Sequence, residues 1–321
     1  MKLKLRYIPL LILGGVVVLS VSAIGVLNVA KFAIYHDYYS REEKFCSIPG
    51  IHDNFTPQGL AYIDGTNTLI TSGYMSNKTA SRIYKVNNTS QSYKSLSLNG
   101  EDFKGHCGGI AYSNNYMYIA NSDSDGSKVY KVNINEFEND NPYIELNDKV
   151  YGVLAGDASF VFASNDKIYV GEFAQKDDIG VYSLSYDGYK YNAVVREFDL
   201  SDGDLSNPVA YYYIPYKVQG FCIGKENDIV LSTSYGLASS HYYVYKQAEL
   251  VTLPNDKKID GVDTYVCHSP ALDLLAPAMS EDIDYDEDKE VIYTYTESAS
   301  NKYFFGKLFF ATDINTINLW K

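Results

Sequence analysis

Residues 57–86 read PQGLAYIDGTNTLITSGYMSNKTASRIYKV, and residues 107–132 read CGGIAYSNNYMYIANSDSDGSKVYKV. Each stretch holds three short runs of apolar, β-branched or aromatic residues, and turn residues separate the runs. Such runs are typical of β-strands joined by tight turns. No segment after residue 50 has a sustained helical period, so the pattern predicts an all-β domain built from a repeated three-strand unit.

Three further copies of this unit follow along the chain. Equivalent positions, spaced by 50, 51, 60 and 62 residues, are Gln58, Gly108, Ser159, Gln219 and Glu281. A period of this size, with three clear strands and a less regular fourth, is typical of propeller blades. The sequence therefore predicts a five-bladed β-propeller, with a pair of β-sandwiches as the alternative.

Three strand assignments belong to this prediction. The third strands of units three and five are placed at residues 180–184 and 307–310. A strand near residues 45–48 is expected to complete the last blade, because a ring closed by both chain ends has no exposed edge.

The N-terminal segment has the character of a membrane span. Residues 7–30 carry no charged side chain, and Lys2, Lys4 and Arg6 precede them. About 20 apolar residues cross a bilayer as a helix, and basic residues stay on the cytoplasmic side. We expect a cytoplasmic stub and transmembrane signal-anchor over 1–31, a linker over 32–43 and an extracytoplasmic propeller over 44–321. The alternative is secretion after cleavage near Ala23.

The net charge of the chain limits the classes of partner that it can bind. The 321 residues have a net charge of −13, and residues 32–321 alone have 23 basic against 40 acidic residues, or −17. An acidic surface repels a phosphate backbone, so nucleic acid is excluded as the main partner. The bilayer, contacted through residues 7–30, is the partner that the sequence predicts.

The four cysteines leave two interpretations open. Cys46, Cys107, Cys222 and Cys267 are too far apart in sequence for a zinc site of paired Cys-x-x-Cys motifs. Three disulfide pairings are possible in an oxidising compartment, and buried free thiols are equally compatible with the sequence.

Polar residues recur where each unit would approach the centre of the ring. In an antiparallel blade, the start of the innermost strand lies beside the end of the second strand. We therefore expect one end of the channel to gather polar side chains from all five units. The binding candidates are Gln58, His106, Asn121, Glu172, Gln219, Glu281 and Glu297.

Three kinds of chemistry are open to these groups. Glu172, Asn121 and Glu281 offer the oxygen ligands that Ca²⁺ prefers, which makes Ca²⁺ the one cofactor suggested. A carboxylate with Gln58 and Gln219 could instead bind an amine or amide, and a carboxyl of raised pKa could act as acid or base. The third possibility is a polar, watery channel without a substrate.

Blade one resembles the plant and bacterial type of glutaminyl cyclotransferase. The resemblance rests on Phe55-Thr56-Pro57-Gln58-Gly59-Leu60, on Thr71-Ser72-Gly73 and on the Ser81 turn, about 30 residues in all. That family consists of five-bladed propellers, and the resemblance implies a pocket role for Gln58 and, more loosely, for Glu281. The family has Gly-Glu-Gly-Leu in blade two, where this chain has Gly108 in place of the glutamate and Pro57 inserted in the first motif.

Overall the chain is similar to exported bacterial propeller proteins with one N-terminal anchor. We expect a membrane-anchored extracytoplasmic propeller that binds a small molecule, a peptide or a cation at the channel mouth. The alternative is an exported enzyme, either a glutaminyl-peptide cyclotransferase or a Ca²⁺-dependent hydrolase.

Overall fold

The computed structural model describes residues 22–321, apart from 124–125, 165, 304 and 310. Its main body is a five-bladed β-propeller, as predicted. Each blade is an antiparallel sheet of four strands, and the innermost strands contact one another in a closed ring. Two blades carry additional short strands at their outer edges.

The strands of the first three blades are as follows. Blade 1 contains β2 (Phe55–Ile63), β3 (Thr68–Met75), β4 (Arg82–Val86) and β5 (Gln91–Leu98), extended by β6 (Glu101–Asp102) and β10 (Tyr143–Glu145). Blade 2 contains β7 (Gly109–Ser113), β8 (Tyr116–Asp123), β9 (Gly126–Asn133) and β11 (Val150–Leu154). Blade 3 contains β12 (Phe160–Ser164), β13 (Lys167–Gly171), β16 (Ala193–Asp199) and β17 (Ala210–Ile214), extended by β22 (Asp263–Val266) and β21 (Val251–Thr252).

The last two blades complete the ring. Blade 4 contains β18 (Val218–Ile223), β19 (Ile229–Thr233), β20 (Ser240–Tyr245) and β23 (Leu272–Ala276). Blade 5 contains β24 (Ser280–Asp286), β25 (Val291–Thr296), β26 (Asp313–Ile317) and β1 (Glu42–Ser47). A separate hairpin is formed by β14 (Leu184–Tyr186) and β15 (Tyr189–Tyr191).

The helical segments are short apart from the first. They are α1 (residues 22–34), α2 (His36–Tyr39), α3 (Phe305–Leu308) and the single 3₁₀ turns Ile134–Phe137, Leu200–Asp202, Lys225–Asn227, Gln247–Glu249, Asn255–Lys257 and Glu297–Ala299. Within the described part of the chain, no helix is long and apolar enough to cross a membrane. Residues 7–21 of the predicted span lie outside the described residues.

The N-terminal strand closes the ring, as expected. β1 is the outermost strand of blade 5 and pairs antiparallel with β26, so that Glu43 lies opposite Thr316. The predicted linker 32–43 is occupied by the end of α1, by α2 and by the first residues of β1. Both ends of the described chain are therefore joined in one sheet.

Two predicted third strands are wrong. In blade 3 the third strand is β16, which pairs with β13 from Lys167↔Asp199 to Gly171↔Val195, whereas residues 180–183 form an irregular loop. In blade 5 the third strand is β26, and residues 307–308 belong to α3. Alternating polarity alone could not distinguish the true strands from nearby apolar segments.

Glycines allow the innermost strands to pack closely at the centre. A Cβ atom on Gly59 would lie 2.5 Å from the backbone nitrogen of Ile110 in β7, and one on Gly220 would lie 2.7 Å from Cα of Asp282 in β24. These separations are far below van der Waals contact, so only glycine fits at either position.

Two buried aspartates link blade 5 to its neighbours. Asp282 Oδ2 accepts hydrogen bonds from the backbone N–H groups of Leu60 (3.2 Å) and Ile110 (3.4 Å). Asp284 Oδ2 accepts one from Tyr62 N–H at 2.6 Å. The acidic run that begins at Asp282 is thus a strand that leads into a turn, and its buried carboxyls accept hydrogen bonds from backbone donors of an adjacent blade.

Tyrosines and cysteines fill the space between blades. Tyr211, Tyr212, Tyr213 and Tyr242 are buried, so their rings serve in packing. All four cysteines are buried free thiols, and no disulfide joins any of them.

Candidate functional site

One polar cavity opens at the end of the ring where the innermost strands begin. Its volume is about 600 Å³, within the range of small-ligand sites. We call it the polar cavity. It is lined by Gln58, Tyr74, His106, Gly108, Ser122, Ala158, Ser159, Phe173, Gln219, Ser234, Tyr235, Gly236, Met279, Glu281, Glu297, Lys302 and Tyr303.

β-Bulges direct three of these side chains toward the cavity. The pairing of β2 with β3 skips Gln58, the pairing of β18 with β19 skips Gln219, and the pairing of β24 with β25 shifts by one residue around Glu281. A bulge leaves one residue unpaired and re-aims its side chain. Equivalent irregularities in three blades thus supply three of the polar groups at the site.

Glu281 and Glu297 form the acidic centre of the cavity. Gln58 Nε2 donates a hydrogen bond to Glu297 Oε2 at 2.9 Å and another to the carbonyl of Pro57 at 2.7 Å. Burial raises the pKa of Glu297 to about 7, although Lys302 and the Gln58 hydrogen bond oppose the shift. Burial and the charges of Glu297 and Asp282 raise the pKa of Glu281 well above its usual value. Both carboxyls therefore hold a proton to higher pH than exposed glutamates do.

A cation and two rings stand at the rim. Lys302 Nζ donates a hydrogen bond to the Tyr74 hydroxyl and lies 4.9 Å from the centre of the Tyr74 ring. The His106 ring stacks on Tyr74 with 4.9 Å between centroids. The His106 side chain is exposed at the cavity mouth, and its ring forms part of the cavity wall. Its withdrawal from bulk water, together with the Lys302 charge, lowers its pKa to about 4, so it is neutral at pH 7.

Two of the seven predicted residues lie behind the cavity wall. Glu172 forms a buried ion pair with Arg196 and accepts a hydrogen bond from Val194 N–H at 3.3 Å. Asn121 is also buried, and its Oδ1 accepts a hydrogen bond from Cys107 N–H at 3.0 Å. Gln58, His106, Gln219, Glu281 and Glu297, by contrast, line the cavity together.

The predicted calcium ligands are therefore separated. Only Glu281 of the trio Glu172, Asn121 and Glu281 lines the polar cavity. Within the described ranges, no group of three or more His, Cys, Asp or Glu side chains is placed to hold a metal ion. The residues present are suited to an organic ligand, because carboxyls, an amide and aromatic faces surround one cavity.

Sequence reasoning missed Lys302, Tyr303, Phe173 and Tyr235 as lining residues. Lys302 and Tyr303 belong to the excursion between β25 and β26, which is not part of the repeated three-strand unit. Phe173 and Tyr235 each follow the end of a second strand by two residues, so the rule that selected Glu172 was short by one position.

Similarity to known proteins does not go beyond the fold. No protein-family model matches the chain, and no curated protein is significantly similar to it in sequence. Hydrazine synthase from Kuenenia stuttgartiensis is similar in structure, with 14% identity, a TM-score of 0.41, and 75% of this chain but only 55% of that one covered.

Two further solved structures are similar to this chain over most of their own length. The PQQ-bound aldose sugar dehydrogenase from Streptomyces coelicolor has 15% identity, a TM-score of 0.44, and coverage of 79% of this chain and 76% of that one. A glutaminyl cyclase from Myxococcus xanthus has 9% identity, a TM-score of 0.43, and coverage of 86% and 92%. At these identities the similarity concerns the propeller architecture alone.

Proposed function

We propose that the polar cavity binds a small organic ligand that carries a protonated amine. The observation behind this proposal is the Glu281–Glu297 carboxyl pair, which Gln58 contacts inside an aromatic cavity. An ammonium group satisfies carboxylates by charge and hydrogen bonds, and aromatic faces attract it further. Lys302 already lies over two of the lining rings, at 4.9 Å from Tyr74 and 4.8 Å from Tyr303.

Butylamine is a suitable first probe, titrated calorimetrically into the full chain in lipid nanodiscs. We expect binding at pH 8 to exceed binding at pH 6 by several fold, because the carboxyl of Glu297, with a pKa of about 7, must lose its proton to pair with the ammonium. Glu297→Gln should weaken binding at pH 8 about tenfold and remove the pH dependence.

Glu287→Gln is the matched control for that experiment. Glu287 is exposed in the turn after β24, at the opposite end of the ring, so the same substitution there should leave binding unchanged. Equal binding by wild type and Glu297→Gln at both pH values would contradict the proposal.

Glutaminyl-peptide cyclisation is the second candidate function. Burial raises the pKa of both Glu281 and Glu297, and such a pair of carboxyls can supply an acid and a base. Incubation with a peptide that begins with glutamine should then give a product about 17 Da lighter, because ring closure expels ammonia. Glu281→Gln should abolish this reaction. Absence of product at high protein concentration would exclude this candidate. The separated ligands give no support to a calcium-dependent hydrolase.

We also propose that residues 7–30 anchor the protein with the propeller on the extracytoplasmic side. The support is an uncharged run of 24 residues, preceded by basic residues and followed directly by the propeller. External protease on intact cells should destroy the propeller, and the undigested protein should stay in the membrane fraction. Release of the propeller into the medium would indicate cleavage near Ala23 instead.

A further inference from the structure

A second cavity lies between α1 and the propeller. Its volume is about 750 Å³, and most of its lining side chains are apolar or aromatic. We call it the apolar pocket. Its walls include Leu27, Ala30, Phe32, Leu237, Phe305 and Phe309. The lining also includes the charged residues Lys31, Glu42, Lys44 and Asp313. Its apolar walls favour contact with the apolar part of a ligand.

Hydrogen bonds hold α1 in place against the propeller. Asn28 Nδ2 donates to the carbonyl of Leu308 at 3.1 Å, and Lys31 Nζ donates to the carbonyl of Phe309 at 2.5 Å. Further along, the Tyr35 hydroxyl lies 3.0 Å from Ser239 Oγ. Ser239 immediately precedes β20 at the same end of the ring as the polar cavity. α1 therefore contacts the propeller at that end of the ring.

The two cavities share their walls. Glu297 lines the polar cavity, while its neighbours Thr296 and Ser298 line the apolar pocket. In the loop after β19, Gly236 lines the polar cavity and Leu237 the apolar pocket. The two cavities are therefore neighbours at the same end of the ring.

Exposed apolar side chains surround this region. Val26 is 69% exposed, Val29 71% and Leu237 75%. Aliphatic residues gathered at one place on a surface mark contact with a membrane or another apolar partner. If residues 7–30 anchor the chain, this end of the ring faces the bilayer, and the bilayer is then the source of apolar ligand nearest to the pocket.

We propose that the two cavities together bind one amphiphile from the bilayer, with its amine held by Glu281 and Glu297 and its hydrocarbon chain in the apolar pocket. This inference rests on the proposed amine site and adds the class of ligand. The neighbouring linings at residues 296–298 and 236–237 put the apolar pocket beside the amine site, and the combined space suits a ligand of lipid-like size.

A series of n-alkylamines from butylamine to octylamine tests the inference in the full chain in nanodiscs, with empty nanodiscs as the reference for partitioning. Each methylene buried in the pocket should raise the affinity about threefold. Ala30→Trp fills the pocket from the exposed side of α1 and should abolish the dependence on chain length while butylamine still binds.

Val29→Trp is the matched control, because Val29 is on the same helix but outside the pocket lining. It should leave the dependence on chain length intact. Two results would overturn this inference and leave the amine site standing, if butylamine binds and Glu297→Gln removes that binding. One is no gain in affinity from butylamine to octylamine, and the other is the same gain in Ala30→Trp as in the wild type. Failure of butylamine to bind would contradict the amine site itself.

Discussion

The Glu172–Arg196 pair shows how one blade accommodates two charges away from water. Both residues are buried, and Arg196 also donates hydrogen bonds to the backbone carbonyls of Ala155 and Asp157. Burial raises the pKa of Glu172 to about 7 even though Arg196 opposes the shift. The pair therefore fixes the segment before β12 against β16, behind the wall of the polar cavity.

We expect Glu172→Gln to lower the free energy of unfolding by about 3 kcal/mol, because Arg196 would remain buried with its countercharge removed. Urea unfolding at pH 8 measures the loss. Lys167→Met breaks a more exposed pair with Glu197 and should cost less than about 1 kcal/mol. A cost for Glu172→Gln as small as that of the control would show that the pair contributes little.

At the same scale, the sequence was sufficient to bring Gln58, His106, Gln219, Glu281 and Glu297 to one end of the ring, because the repeat relates their positions. Their function stays a proposal. The sequence was not sufficient to place Glu172 behind the cavity wall, because its partner Arg196 is set by the register of β13 and β16. A one-residue change of register reverses the face on which a side chain lies.

Among the elements, the inner strands were more predictable than the outer ones. β2, β7 and β18 are buried over most of their length and show clear apolar runs. β26 is only partly buried and reads DINTI, so its sequence resembles a loop. The segment at residues 307–310 is more apolar than β26 and was therefore predicted as the third strand. Phe309 instead lines the apolar pocket, and Lys307 and Leu308 end α3.

The excursion between β25 and β26 illustrates a limit of reasoning from repeats. It supplies Lys302 and Tyr303 to the polar cavity and Phe305 and Phe309 to the apolar pocket. Repeats predict what the blades share, whereas sites depend on segments that differ from blade to blade. Both cavities owe part of their walls to this one insertion.

For the whole molecule, the buried carboxyls predict an unusual response to pH. Burial raises the pKa of Asp284 to about 8, against the backbone hydrogen bonds of Tyr62 and Tyr285, and that of Glu297 to about 7. Both values exceed those of the unfolded chain, so the folded state holds protons that the unfolded state has released. The contribution to stability is complete below the unfolded pKa values of about 4, declines as pH rises above them and is gone once pH exceeds the folded values of about 7 and 8.

We therefore expect the free energy of unfolding to fall by about 2 kcal/mol between pH 6.5 and 8.5. Fluorescence of Trp320, the only tryptophan, can report the unfolding, since its indole donates a hydrogen bond to Asp228 at 3.0 Å. Asp284→Asn should reduce the slope. Stability that is constant or rises over this interval would contradict the pKa directions. His106, whose pKa is lowered, contributes little above pH 6.5.

The pairing of β1 with β26 has a consequence for biosynthesis. β1 leaves the ribosome about 270 residues before its partner β26. Until β26 has been made, β1 lacks this pairing and is accessible to proteases and to strands of other chains. A nascent chain interrupted before residue 313 would never cover that edge, so quality control could recognise every truncated copy by the same exposed strand.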